Sequence, residues 1–127
     1  MKEMSKARVL NRKNESQVMN EIQLLSYIKS DFVINAHYAF QDKEFLYLIL
    51  DLLLGGDLRY HMNKRRKSME GKFSEEVTKF FIACLILALE DTHALNIVHR
   101  DIKPENLVFD NQRYLRLTDF AVASPVV

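Results

Sequence analysis

The sequence predicts an α+β fold of two small lobes joined at a hinge. Three observations lead there. Apolar residues recur at helical spacing in two long segments. Two strand-like runs of aliphatic and aromatic residues lie between them. The composition shifts at Leu54-Gly55-Gly56-Asp57: before it the pattern is helix plus strands, after it mostly helix and then a hairpin. A chain of 127 residues is within the usual size of one domain and can bury a core. Its 48% hydrophobic and 28% charged content is that of an ordinary soluble globular protein.

Residues 14 to 29 read as the first helix. Val18, Ile22 and Leu25 recur on one face, and Asn14 is placed to cap the start. Glu21 falls between Val18 and Leu25 on that face, where a carboxylate needs a cation or a hydrogen-bond donor. The plainer reading sets it at the rim, pointing to water. Residues 32–40 and 45–50 read as strands joined by Gln41-Asp42-Lys43-Glu44. The second run, FLYLILDLLL, is almost continuously apolar, as expected of a strand covered on both faces.

Gly55-Gly56 ends that run, and Asp57 is a good cap for a short helix from Leu58 to about Asn63. The basic run Lys64-Arg65-Arg66-Lys67 reads as a solvated loop in preference to a localisation or acidic-partner signal. Ser74 then opens a long helix reaching about Asn96. Val77, Phe81, Leu85 and Ala88 mark an apolar face wide enough to be largely buried. Leu107 to Phe109 and Tyr114 to Leu117 form a hairpin centred near Gln112. Antiparallel pairing about that centre sets Asn106 opposite Thr118, next to Asp119.

Several function classes are disfavoured by composition. A net charge of +1 offers no global field for nucleic acid or an anionic membrane. Cys84 is the only cysteine, so no intramolecular disulfide or cysteine zinc cage forms. It reads as a buried small hydrophobe in a reducing compartment. The longest apolar run, Phe80 to Leu89, is about half of the ~20 residues a membrane-spanning helix needs. MKEMSKARVL lacks the apolar core of a signal peptide. Gly55, Gly56 and Gly71, the only glycines, build no glycine-rich phosphate loop.

What remains is a polar constellation near the end of the chain. The Asn106 amide oxygen and the Asp119 carboxylate are hard oxygen ligands, suited to Mg²⁺ rather than zinc. Asp101, on the loop leading into the hairpin, reaches the same region, and Lys103 is placed to neutralise a transferring phosphate. Singly, Asp101 reads as a cap, Lys103 as a solvated charge and Asn106 as a turn former. Together they suit phosphoryl transfer.

HRDIKPEN followed by TDFA resembles the catalytic and metal-binding loops of eukaryotic protein kinases. The resemblance covers essentially the whole chain, and DLLLGGDLRYH is especially similar to the YANK kinases of the AGC group. Lysine two residues after Asp101 resembles serine/threonine kinases. The resemblance implies a two-lobe protein-kinase fold, incomplete at both ends. Residues 1–50 would form part of the N-lobe, 51–56 the hinge, and 57–127 the first part of the C-lobe, ending in the activation segment.

By the same resemblance, Asp101 is the base for the substrate hydroxyl, Lys103 contacts the γ-phosphate, and Asn106 and Asp119 hold magnesium. Glu21 is the glutamate of the regulatory helix and Lys2 its lysine partner. Asp51 and the Leu53 backbone hold adenine, Asp57 lies near the ribose, and Glu105 is a further nucleotide-binding position. Leu50 is the gatekeeper. Leu25, Ala36, His99 and Phe120 form the hydrophobic spine, with Ala36 smaller than is usual there. Ala121 stands where glycine follows the Asp-Phe pair, and alanine resists positive φ.

The implied cofactors are ATP and Mg²⁺, the implied partner is a protein with a serine or threonine hydroxyl, and the implied compartment is intracellular, in the cytoplasm. Nucleic acid is not an expected partner. The alternatives are a pseudokinase or interaction module, and an inactive remnant. The isolated chain is expected to have little or no activity.

Overall fold

The computed structural model describes residues 1–10 and 12–126. Asn11 and Val127, which the boundaries 1–50 and 57–127 take in, lie outside the described residues. The first strand, β1 (Lys2–Ser5), runs into a one-turn helix, α1 (Lys6–Val9), and then α2 (Arg12–Tyr27). β2 (Ala36–Gln41) and β3 (Phe45–Leu50) complete an antiparallel sheet of order β1-β3-β2. In it Lys2 pairs with Leu48 and Ala36 with Leu50. The mixed α+β architecture is as the sequence predicts, with α1 an addition.

Three expectations about this part need correction. α2 begins at Arg12, so Asn14 sits inside its first turn rather than at its cap. The Asn14 amide instead reaches back and donates to the Arg8 carbonyl at 3.4 Å. The strand expected from Phe32 starts only at Ala36. Asn35 closes a turn onto Ser30, accepting from its N–H at 3.0 Å and donating to its carbonyl at 2.8 Å. That turn sends Phe32–Ile34 alongside Leu117 instead: the Leu117 N–H donates to the Phe32 carbonyl at 2.8 Å, and the Ile34 N–H to the Leu117 carbonyl at 3.0 Å.

β3 is also not covered on both faces. Only Leu48 is buried, in one core with Leu24 and Leu25 of α2 and Ile28 just past its end. Tyr38 and Phe40 of β2 stay exposed, as do Leu52 and Leu54 past the strand.

The chain then turns at Gly55-Gly56, where the hinge docks on the hairpin. The Gly55 N–H donates to the Phe109 carbonyl at 3.0 Å, and the Phe109 N–H to the Gly56 carbonyl at 2.9 Å. A Cβ on Gly55 would stand 2.4 Å from the Phe109 Cβ, so only glycine allows this approach. α3 (Leu58–Lys67) follows, its start capped by the Asp57 carboxylate, which accepts from the Tyr60 N–H at 2.8 Å. α3 is longer than expected: Lys64–Lys67 is its last turn, not a loop. Cations there face the negative end of the helix dipole, and the Arg65 guanidinium lies 4.9 Å over the Phe73 ring.

α4 (Glu75–Ala94) starts as expected, with the Ser74 hydroxyl accepting from the Val77 N–H at 3.2 Å. Its apolar circumference is wider than the rest of the described chain covers. Cys84, Ala88 and Thr92 form the buried stripe, while Val77, Phe80, Ile82, Ile86 and Leu87 are exposed. The expectation of a largely buried face is therefore corrected. Cys84 is buried, as expected, and burial pushes its thiol pKa up.

β4 (Ile97–Val98) pairs with β7 (Ser124–Pro125) near the end of the chain. Between them a 3-10 turn (Pro104–Asn106) leads into the hairpin of β5 (Leu107–Phe109) and β6 (Leu115–Leu117). Leu107 faces Leu117 and Phe109 faces Leu115, which centres the hairpin on residue 112, the register read from the sequence. Leu115, Leu117 and Phe120 are almost fully buried together with Val33 and Leu25. That shared core fixes the hairpin against α2 and the segment after it. Among the described residues no helix is long and apolar enough to cross a membrane.

Candidate active site

Asp101 lies on the loop between β4 and the 3-10 turn, and the buried His99 sets the course of that loop. Its ring packs edge-on against Phe120, with centroids 4.8 Å apart. The Asp101 N–H donates to His99 Nδ1 at 3.2 Å, which leaves Nε2 as the protonated nitrogen, donating to the Thr118 carbonyl at 2.8 Å. One imidazole thereby joins the Asp101 loop to the strand that leads into Asp119. Arg100, at φ +69°, turns outward and donates from Nε to the Val122 carbonyl at 2.6 Å.

The Asp101 carboxylate is held by two donors. Lys103 Nζ and Asn106 Nδ2 each stand 3.1 Å from its Oδ2. Asn106 Nδ2 also donates to the Asp101 carbonyl at 2.9 Å. The Lys103 hydrogen bond, outweighing burial and helped by Asn106, holds the Asp101 carboxyl below the usual carboxylate range. It is therefore ionised at neutral pH.

Asn106 is itself buried, and its amide nitrogen is committed. Its Oδ1 has no hydrogen-bond partner among the described residues and is not sealed in the interior. The rung beyond it is closed by Thr118, whose N–H and hydroxyl both donate to the Asn106 carbonyl, at 2.8 and 3.1 Å. Asp119 comes one residue past that rung, exposed, at φ +62°. Among the described residues only its Oδ1 is engaged, accepting from the Ala121 N–H at 3.3 Å. The left-handed backbone of this segment thus falls on Asp119, and Ala121 is not among the positive-φ residues. Alanine at 121 carries no backbone strain here.

Lys2 and Glu21 meet. Lys2 Nζ is 3.0 and 3.1 Å from the two Glu21 oxygens, and Glu21 is only 5% exposed. The reading of Glu21 as a rim residue pointing to water is corrected: β1 brings it a cation. The pair lines a cavity of about 710 Å³ that also touches Ala121, just past Asp119.

The other expected positions fall differently. The Asp51 side chain is used up inside the fold. Its Oδ2 accepts from the Asn35 N–H, Asn35 Nδ2 and Arg116 Nη1, each at 2.9 Å, and its Oδ1 lies 2.6 Å from His37 Nε2. Burial works to raise this carboxyl, but the Asn35 and His37 hydrogen bonds and the Arg116 charge together hold it low. Any ligand contact at Asp51 is left to its carbonyl, since its N–H donates to the Asn35 carbonyl at 3.0 Å. The Leu53 N–H has no backbone partner among the described residues. One oxygen of Asp57 caps α3. Glu105 pairs with Arg59 at 2.6 Å on the exposed side of the 3-10 turn.

Sequence reading missed the tie centred on Asp51 and Arg116. Arg116 Nε also reaches Asp110 Oδ2 at 3.2 Å, and Asp110 Oδ1 accepts from the Gln112 and Tyr114 N–H groups. The available signal was Arg116 itself, an arginine flanked by the apolar Leu115 and Leu117 on a short strand.

A hinge, a hairpin end and a lysine paired with a buried glutamate, arranged in this way, define a class. The family model for the protein kinase domain matches residues 1–127. The chain belongs to the protein kinase domain family.

A probable serine/threonine-protein kinase of Dictyostelium discoideum is 43% identical over 97% of this chain, which covers 26% of that protein. The cAMP-dependent protein kinase catalytic subunit of the same organism is 44% identical over 99% of the chain, covering 19% of its length. Human serine/threonine-protein kinase 32B is 39% identical over 99% of the chain, covering 29% of its length. The chain spans about a quarter of the length of such relatives.

Proposed function

We propose that this chain is the nucleotide- and metal-binding part of a serine/threonine protein kinase that transfers the γ-phosphoryl group of ATP to a protein hydroxyl. The observation that carries this reading is the Lys103–Asp101–Asn106 cluster on the rung that leads to Asp119. Asp101, kept ionised, orients the substrate hydroxyl and takes its proton as the oxygen bonds to phosphorus. Lys103 offsets the charge of the phosphoryl oxygens. The bond from the γ-phosphorus to the bridging oxygen breaks, and ADP leaves.

The donor set fits magnesium: a free amide oxygen on Asn106 and a carboxylate with one open oxygen on Asp119 are hard ligands of the kind it takes with water and phosphates. Bound there, Mg²⁺ would neutralise the charge of the phosphate chain. Lys2, held by Glu21, faces the same nucleotide. Adenine is assigned to the Asp51 carbonyl and the Leu53 N–H, and the ribose side to Asp57 and Glu105.

On this reading residues 1–50 are part of an N-lobe, 51–56 the hinge and 57–127 the start of a C-lobe. The DLLLGGDLRYH stretch supports placing the chain with the YANK kinases of the AGC group, working inside the cell in the cytoplasm. In the full-length protein, Asp101→Asn should lower phosphate transfer from Mg-ATP about a thousandfold, the weight of a positioned base. Unchanged transfer would refute the assignment.

A further inference from the structure

The segment from Arg59 to Lys72 carries six cations, Arg59, Lys64, Arg65, Arg66, Lys67 and Lys72, against one carboxylate, Glu70. The formal charge of the whole chain is only +1, so its positive charge is concentrated here. The C-terminal end of a helix carries about half a negative charge, far less than the four cations of the last turn of α3 supply. Four of the six line a cavity of about 630 Å³ between the end of α3 and the start of α4, with Met62 and Phe73.

Two of those four are already partnered. Arg59 pairs with Glu105, and Arg65 with Glu70 at 3.3 Å. Arg66 and Lys72 have no ion-pair partner among the described residues. Arg65 lies over the Phe73 ring, and its Nε is the one buried side-chain polar atom left without a hydrogen bond among the described residues. Gly71, beside Lys72, has open space around it. The Arg59–Glu105 pair joins the cavity wall to the 3-10 turn that follows the Asp101 loop.

We propose that this cavity binds an acidic segment of the protein substrate, its carboxylates paired with Arg66 and Lys72. As a statement about substrate it rests on the phosphoryl-transfer reading above. The shape favours polypeptide over nucleic acid: the site is a single pocket rather than a track, and the Phe73 ring is already covered by Arg65, leaving no stacking platform. Two apolar residues are too few to anchor a membrane surface.

The test uses the full-length protein and a fluorescein-labelled hexaglutamate peptide, followed by anisotropy without nucleotide. Binding should weaken with added salt, and by about tenfold in Arg66→Gln/Lys72→Gln, as loss of charge-assisted hydrogen bonds implies. Lys64→Gln/Lys67→Gln, which removes the same charge outside the cavity, should bind within about twofold of the parent. Equal weakening by both pairs, no binding at all, or tighter competition by oligouridylate or phosphatidylserine vesicles would overturn the proposal.

In a kinetic arm, the cavity variant should raise KM about tenfold for a serine peptide with a glutamate tail, with kcat unchanged. It should leave a glycine-serine-tailed peptide unaffected; an equal rise for both tails contradicts the proposal. Because the binding arm needs no turnover, cavity-dependent binding by a protein that transfers no phosphate would sink the kinase reading and leave the cavity standing.

Discussion

At Asp51 one carboxylate joins Asn35 and His37, which precede and open the outer strand, to Arg116 on the hairpin. Its partners lie as many as 65 positions away in the chain, so neither periodicity nor local spacing discloses the tie. Its folded pKa is depressed, so its contribution to stability is present above the unfolded value of about 4 and lost as pH falls below it. Asp51→Asn should therefore cost about 1–3 kcal/mol at neutral pH by denaturant titration of the full-length protein. The gap from the parent should narrow below about pH 4. A gap that widens in acid would mean that Asp51 is not the ionised centre of the tie.

Elements bring the site together, and here the sequence was more informative. The hairpin register follows from turn position and strand length, which is why the Asn106–Thr118 rung is legible in the sequence. The residue pattern leaves Glu21 open between a rim position and a paired one, and only the family resemblance names Lys2 as its cation. Less legible was the extent of each element. A turn at Asn35 shortened β2, and the basic run extended α3 because cations suit a helix end as well as a loop.

Docking of the hinge on β5 brings two backbones into close approach, since Gly55 lies against Phe109 without room for a methyl group. Gly55→Ala should destabilise the full-length protein by about 1–3 kcal/mol, the range of overpacking. A variant as stable as the parent, by the same titration, would show that the hinge docks more loosely.

Across the whole molecule, one core runs from α2 and β3 through the Phe32–Ile34 segment to the hairpin and Phe120. It aligns groups that carry no sequence mark of their own, such as the carbonyls that His99 and Arg100 bind. It also leaves the outer faces of β2 and α4 apolar and exposed, which a reading by periodicity alone assigns to the interior.

The central claim is that Asp101, Asn106 and Asp119 act as one phosphoryl-transfer site. Single-turnover phosphate transfer by the full-length protein, compared among Asp101→Asn, Asp119→Asn and the double variant, tests it most directly. Groups that act as a unit are strongly non-additive. The double variant should transfer phosphate within about threefold of the slower single variant. Losses that multiply, or either single variant matching the parent, would contradict a shared site.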